Sequence, residues 1–493
     1  KVTLLHSRLS VIDLDPRSNQ PFTIGSLTLV YNGEIYNYIE LRQQLIERGI
    51  ELETQSDTEV LLHFYRLYGE DCVQHFEGMW AFAVFDAEDG LLFLSRDRFA
   101  EKPLYYINDK CGFYFGSEIK FLKGLTERGL KVNQRHLQRH LMHGYKALYK
   151  TDETYFEEVR ELKYGQSLTL TPAGVGHPRR YWKPTCKIDE SMSLEDAIEE
   201  SRERLFDSVR IRLRSDVPLA FCLSGGVDSA SLVSIAAKKF NKKLETFSII
   251  DSDARYNEKD NIMATVRDVG CSYNLLKIPK EGALARLHDL IAYHDVPLAT
   301  ITYYIHSLIT ESVSKAGFRV AFSGTSADEL FSGYYDHFLL HLNEVRSAPD
   351  YQTYLSDWNR YTVNYIRNPI FKTADLFHDS PDYRDHVFDA SRDIKKYFSI
   401  DFREEFKEEK FCINLMRNRM LNELFHEITP VILHEDDLNS MFNSIENRSP
   451  YLDTGLLKVA CSIPPKHLIR EGFGKHILRE SVKGILNDQV RLD

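Results

Sequence analysis

The string Ser224-Gly225-Gly226-Val227-Asp228-Ser229 places two hydroxyls, two glycines and a carboxylate in six positions. Adjacent glycines let backbone N–H groups turn inward and approach a ligand closely. The string stands between an apolar run, Leu219–Leu223, and helical spacing from Ala230 onward. A helix that starts just after such a loop offers unpaired N–H groups and the positive end of its dipole to an anion. The loop has no lysine, so it is not the G-x-x-x-x-G-K-[ST] phosphate loop. An aspartate here would repel phosphate unless a cation lay between them, so Asp228 points to Mg2+ bridging a pyrophosphate. A plain Ser/Gly turn would explain the glycines alone. The strand–loop–helix frame favours phosphate binding.

A second loop, Ser323-Gly324-Thr325-Ser326-Ala327-Asp328-Glu329-Leu330-Phe331-Ser332-Gly333-Tyr334, follows the apolar run Arg319–Phe322. In an open parallel sheet, ligands bind at the carboxyl ends of strands, so the two loops are expected to face one site. Asp228 and Asp328 are then two carboxylates beside one polyphosphate, the donor set of a shared Mg2+. A solvated acidic helix start is the plainer alternative for Asp328 and Glu329.

The elements that must position these loops change character along the chain. In the first 125 or so residues, Leu27 to Tyr36 predicts a strand, and Tyr38 to Arg48 and Thr58 to Leu67 predict helices, the second capped by Ser56 or Asp57. Ala81–Phe85 with Leu91–Ser95, and Tyr105–Ile107 with Phe113–Gly116, predict two hairpins. Strand pairs with helices between them make a layered α+β unit. Thr171 to Lys187, with Pro172, Pro178 and Pro184, reads as a linker, and Ser193 with Asp196 as a helix start. From Val217 strands and helices alternate: Leu219–Leu223, helix Ala230–Phe240, then strands Leu244–Ile250, Cys271–Ile278 and Arg319–Phe322. That grammar is a doubly wound parallel sheet of the α/β class. The expected organisation is 1–170, a linker at 171–192, and 193–493 with a helical insertion near 342–406.

The two loops resemble those of the asparagine synthetase (glutamine-hydrolysing) family. The first resembles the pyrophosphate loop of N-type ATP pyrophosphatases, which cleave ATP between the α and β phosphates. The second resembles the family signature Ser-Gly-Glu-Gly-x-Asp-Glu-Leu-Phe-Gly-Gly-Tyr. Thr325 stands for the family's Glu, which lies close to the acceptor, and Ser326 and Ser332 stand for glycines. Glu435-Asp436-Asp437-Leu438-Asn439-Ser440-Met441 and Ser444-Ile445-Glu446-Asn447-Arg448-Ser449-Pro450-Tyr451-Leu452-Asp453 resemble two further family strings. The resemblance implies an adenosine pocket lined by Leu223, Ile249, Ser323 and Gly324. It implies that Lys475 stabilises charge on the reacting phosphate and acyl group, where charge develops as an adenylate forms.

Residues 6–120 resemble the class II glutamine amidotransferase domain of the same family, an Ntn-hydrolase-like αββα layer fold. The strings are His6-Ser7-Arg8-Leu9-Ser10, Tyr31-Asn32-Gly33-Glu34-Ile35-Tyr36-Asn37, Ser56-Asp57-Thr58-Glu59, Arg96-Asp97-Arg98 and Gly116-Ser117-Glu118. The resemblance places Arg8 on the glutamine α-carboxylate and Asp57 on its α-amino group. It makes Asn32 and Gly33 the oxyanion hole, with Glu34 holding substrate and loop. The family nucleophile is an N-terminal Cys whose α-amine is its base. No Cys precedes Arg8, and residue 1 is Lys1, so a missing N-terminal segment is expected.

Composition bounds the alternatives. Net charge is −11, and charged residues make up 27%, which argues against a nucleic-acid partner. No run approaches the length of a membrane helix. Seven scattered cysteines, odd in number, fit reduced thiols in a cytoplasmic protein rather than a disulfide framework. The expected ligands are glutamine, ATP, Mg2+ and a small carboxylate, and homodimer formation is compatible with the sequence. Aspartate is the default acceptor. Thr325, Ser326 and the 342–406 stretch motivate another carboxylate, such as a sugar uronate. A β-lactam-synthetase-like ligase and a non-catalytic scaffold of the same fold are the rivals. The intact Arg8, Asn32, Gly33, Glu34 and Asp57 weigh against the first, and Asp228 and Lys475 against the second.

Overall fold

Two adjacent strands that are apolar on both faces explain the N-terminal unit. The computed structural model describes residues 1–251, 253, 257–279, 281–388, 395–397 and 402–493. Its first ten strands are β1 Phe22–Ile24, β2 Leu27–Ile35, β3 Gly78–Asp86, β4 Leu91–Arg96, β5 Tyr105–Asp109, β6 Gly112–Gly116, β7 Arg160–Glu161, β8 Gln166–Thr171, β9 Gly174–Val175 and β10 Arg179–Arg180. An antiparallel sheet runs β1-β2-β3-β4-β8-β10 with β9 on β8, and a second runs β6-β5-β7.

Successive strand side chains point to opposite faces. Leu29, Tyr31, Phe82, Val84 and Phe93 therefore pack on one face against helices α1 (Tyr38–Glu47) and α2 (Asp57–Tyr68). Val30, Ala81, Ala83 and Leu94 pack on the other, against Tyr106 and Phe115 of the second sheet and Leu104 and Leu162 at the ends of its strands. Beyond that sheet Ile107 meets Ile119 and Leu122 of helix α3 (Ile119–Thr126). The order is helix, sheet, sheet, helix.

The stretch expected as a linker is partly sheet. Arg179 and Arg180 pair with Ser167 and Gln166 of β8, and Val175 pairs with Leu170. Pro172, Pro178 and Pro184 stand outside the ladder, where a missing N–H costs nothing. Ser193 then caps the helix Leu194–Arg212, its Oγ accepting from Asp196 N at 3.0 Å.

The C-terminal unit is a wholly parallel five-stranded sheet of β11 Leu219–Cys222, β12 Glu245–Ile250, β13 Ser272–Lys277, β14 Val320–Phe322 and β15 Glu446–Arg448. The order is β13-β12-β11-β14-β15. Phe221 and Phe322 face one helical layer, and Ala220, Phe247 and Ala321 face another with Val313 and Ile445. β15 was not expected, since three residues carry no period. The helix expected over Ala230–Phe240 begins earlier, at Val227, and widens to a π-turn over Ile235–Lys239.

In the 342–406 stretch the described residues form helices Tyr351–Tyr361, Leu376–Asp379 and Asp385–Phe388. The rest of that expectation, at 389–394 and 398–401, lies outside the described residues. Among the described residues no helix is long and apolar enough to cross a membrane.

Candidate active sites

β11 has its sequence successor β12 on one side and the much later β14 on the other. Strand order therefore reverses at β11, and a crevice opens beyond its carboxyl end. The loops after β11 and β14 meet there: a Cβ added to Gly324 would lie 3.0 Å from Ser229 N and 3.2 Å from Asp228 Cβ. The first loop braces itself, with Ser224 N donating to Ser229 Oγ at 2.9 Å and Gly225 N to the Glu258 carboxylate at 2.9 Å.

Lys475 lies between the two expected metal carboxylates. Its Nζ donates to Asp228 Oδ2 at 2.6 Å and pairs with Asp328 Oδ1 at 2.8 Å. The second loop makes room for this by tight backbone. Any side chain at Gly333 would collide with the Asp328 carboxylate and the Lys475 stem. Burial pushes the Asp228 carboxyl up to about 6; Asp328 adds to the rise and Lys475 opposes it. Burial also disfavours the Lys475 ammonium, but the two carboxylates outweigh it and raise its pKa. The other carboxylate oxygen, Asp228 Oδ1, is buried with no hydrogen-bond partner among the described residues.

Ser326 and Ser332 flank the turn Ala327–Phe331 with φ of 76° and 70°. Left-handed backbone costs a residue with a Cβ about 1–2 kcal/mol. That explains glycine at these places in the family signature. The serines offset part of the cost through their hydroxyls: Ser326 Oγ bonds Thr429 Oγ1 at 3.0 Å, and Ser332 Oγ donates to Leu468 O at 3.3 Å.

Thr325 has a partner that a glutamate could not use. Its hydroxyl donates to Asp436 Oδ2 at 3.0 Å, which also accepts from Asn447 Nδ2 at 3.2 Å. His306 lies 2.8 Å from Glu435 Oε1 and 3.2 Å from Asp436 Oδ1. Burial works against its imidazolium, yet Asp436 and Glu435 raise it to about 10. Of the implied adenosine-pocket residues, Ser323 bonds Thr325 Oγ1 at 3.0 Å, Leu223 N donates to Phe247 O at 2.9 Å, and Ile249 lies on β12.

In the N-terminal unit β2 and β3 approach so closely at Gly33 (φ 143°) that a Cβ would collide with Met79 O. Only glycine fits, so the N–H there is fixed by the sheet. Asn32 Nδ2 donates to Ser117 Oγ at 3.2 Å. Arg8 is aimed by carbonyls, donating to Ile12 O at 2.9 Å and Asp13 O at 2.5 Å. Asp57, at the first position of α2, accepts from Tyr31 OH and Ile35 N, both at 2.9 Å, and burial pushes it up to about 6. Glu34 is buried; burial, then Glu446 and Asp57, push its carboxyl well above the usual range.

Residues 1–182 match the glutamine amidotransferase domain, and residues 200–492 match asparagine synthase. The chain belongs to the asparagine synthase family. It is 29% identical to asparagine synthetase [glutamine-hydrolyzing] 1 of Bacillus subtilis (strain 168), over 98% of this chain and 77% of that protein. It is 30% identical to number 3 of the same organism, over 98% and 78%. It is also 28% identical to amidase chry2 of Gibberella zeae, over 99% and 79%.

Against this family background, the structure adds residues that the motifs did not assign. Lys102 is buried at the junction of the two units and pairs with Asp437 at 3.1 Å. Its loop is shaped by Asp97 of the Arg96-Asp97-Arg98 string, which accepts from the N–H groups of Trp80, Phe99, Glu101 and Lys102. Glu161 of β7 binds Arg96 at 2.7 Å and His434 of the other unit at 3.1 Å. The motif order hinted at Asp97; nothing in the sequence joined Lys102 to Asp437.

Proposed function

We propose that this chain releases ammonia from glutamine in its N-terminal unit and uses it to amidate a carboxylate activated by ATP in its C-terminal unit. The convergence of Asp228, Asp328 and Lys475 at the strand-order reversal carries this reading. Two carboxylates aimed at one cation position, with Asp228 Oδ1 unpartnered, suit an oxygen-liganded divalent ion. Mg2+ would be held by Asp228 and Asp328 and, when bound, would neutralise pyrophosphate charge.

The protein groups do the rest. The Ser224–Ser229 loop and the start of its helix bind phosphate. Lys475 moves from its carboxylate partners onto the α-phosphate oxygens as charge grows there. Leu223, Ile249, Ser323 and Gly324 hold adenosine. The carboxylate attacks the α-phosphorus, pyrophosphate leaves, and ammonia then displaces AMP from the acyl adenylate. Activation is needed because hydroxide is a poor leaving group and AMP a good one. In the N-terminal unit Arg8 binds the glutamine α-carboxylate, Asp57 and Glu34 its ammonium, and Asn32 with Gly33 the oxyanion.

Aspartate is the default acceptor, in keeping with relatives named asparagine synthetase. A second reading, another carboxylate, is favoured by Thr325, whose hydroxyl is spent on Asp436 where the family signature has a Glu. Relatives named amidase are in keeping with it.

The test is a screen of the full-length protein with glutamine, ATP, Mg2+ and candidate acids, following AMP, pyrophosphate and the amide. Asparagine and AMP from aspartate are expected. AMP with a different acid alone overturns the default acceptor. Absence of AMP with every acid overturns the synthetase reading.

A further inference from the structure

β15 carries only Glu446, Asn447 and Arg448. Asn447 faces the synthetase site, donating to Ser323 Oγ at 3.1 Å and to Asp436 Oδ2 at 3.2 Å. Strand alternation turns its two neighbours the other way, towards the N-terminal unit. Arg448 is fully buried. Its Nε donates to Glu446 Oε1 at 2.8 Å, and its Nη1 to Arg212 O and Arg214 O, both at 2.6 Å. Its guanidinium lies 5.4 Å over the Tyr36 ring. The remaining nitrogen, Nη2, has no hydrogen-bond partner among the described residues.

That nitrogen lies 4.0 Å from Glu34 Oε1, while Glu34 Oε2 is also buried with no hydrogen-bond partner among the described residues. Two buried, opposite, half-used groups therefore face each other across a gap too long for a hydrogen bond. A purely structural pair would close, because a buried polar atom left unpaired costs about 1–3 kcal/mol. Glu34 follows Gly33 in β2 and its carboxyl feels the charge of Asp57, the residue assigned to the glutamine ammonium, which ties the open valences to the glutamine site.

We propose that Arg448, supplied by the C-terminal unit, is a positioning residue of the glutamine site, holding the Glu34 carboxylate in place for the substrate ammonium. This rests on the glutaminase reading above. The groups facing Glu34 divide by sign. Arg448 and Lys102 favour the anion, whereas Glu446 and Asp57 oppose it. Tyr31 of β2 and Tyr38 of α1 also feel the Glu34 charge. Glutamine brings one positive charge to a cluster that lacks one. Because Asn447 is the next residue along the strand, the support of the glutamine site and the hydrogen bond to Ser323 belong to one three-residue element.

The experiment compares full-length wild type with Arg448→Met, Arg448→Lys and Glu446→Gln. Glutamate release from glutamine is measured beside AMP formation driven by ammonia. Arg448→Met is expected to raise KM for glutamine by about tenfold or more, with ammonia-driven AMP formation held within about threefold. Arg448→Lys is expected to recover most of that loss. Glu446→Gln removes a charge that disfavours the Glu34 anion, so the acidic limb of glutaminase kcat/KM should move to lower pH. If Arg448→Met does not fold, Arg448→Gln, which keeps donors but removes the charge, takes its place in the same two assays. An unchanged glutamine KM in Arg448→Met, an equal loss in both reactions, or an unmoved limb in Glu446→Gln overturns the assignment. Wild type that releases no glutamate fails the glutaminase reading itself and is told apart by that control.

Discussion

At the scale of single residues, the chemistry is concentrated in groups whose charge is held by neighbours. Burial pushes the Asp228 carboxyl from its ordinary 3.8 up to about 6 in the fold. The native state thus binds more protons than the unfolded chain between those values, and stability falls as pH rises through that window. Asp228→Asn removes this penalty. Its melting temperature should match wild type near pH 4 and exceed it above pH 6, while AMP formation falls by about a hundredfold or more. Thermal scans across pH check the first part and an AMP assay the second. Ser326 gives a separate test. With φ at 76°, Ser326→Gly should be more stable than Ser326→Ala by about 1 kcal/mol, the reverse of the usual helical ranking. Denaturant midpoints of the two variants decide it.

At the scale of elements, Gly33 and β15 show what the sequence does and does not disclose. β2, β3 and the hairpins were legible because short apolar runs bounded by turn residues mark them. The helix at Ser193 was legible because its cap, Ser193 with Asp196 three residues on, is spelled out just ahead of the buried stripe that starts at Ala197. β9 and β10 were hidden by their length and by three prolines, and β15 by having three residues and no period. The phosphate loop, the acidic loop and Lys475 could be named as strings. That Lys475 Nζ sits between Asp228 and Asp328 could not, because it depends on Gly333 having no side chain and on Ser332 in left-handed backbone. Thr325, Asp436, His306 and Asn447 lie far apart in the chain and form one hydrogen-bonded group only in the fold. Gly33→Ala should abolish glutamate release, since the new methyl would displace β3 at Met79, and leave ammonia-driven AMP formation largely intact. Parallel assays of the two reactions test this.

At the scale of the whole molecule, the two units are joined by buried ions rather than by a tether alone. Lys102 with Asp437, Glu161 with His434, and Glu77 with Arg212 all cross between them. Removing one partner of a buried pair leaves an uncompensated charge and costs about 3–5 kcal/mol, whereas replacing both by apolar groups is far milder. Lys102→Met should therefore destabilise the chain by about that amount, and Lys102→Met with Asp437→Leu should recover most of it, as read from denaturant unfolding. The same junction places Glu34 beside Arg448 and Asn447 beside Ser323, so residues of both candidate sites share one seam.

The most direct test of the central claim follows oxygen. Full-length protein is given glutamine, ATP, Mg2+ and the acid that supports turnover, labelled with 18O in the carboxylate. An acyl adenylate transfers one carboxylate oxygen to the α-phosphate, so AMP should carry a single 18O with the amide formed in equal amount. Label in inorganic phosphate with ADP as product, or unlabelled AMP, would contradict the account.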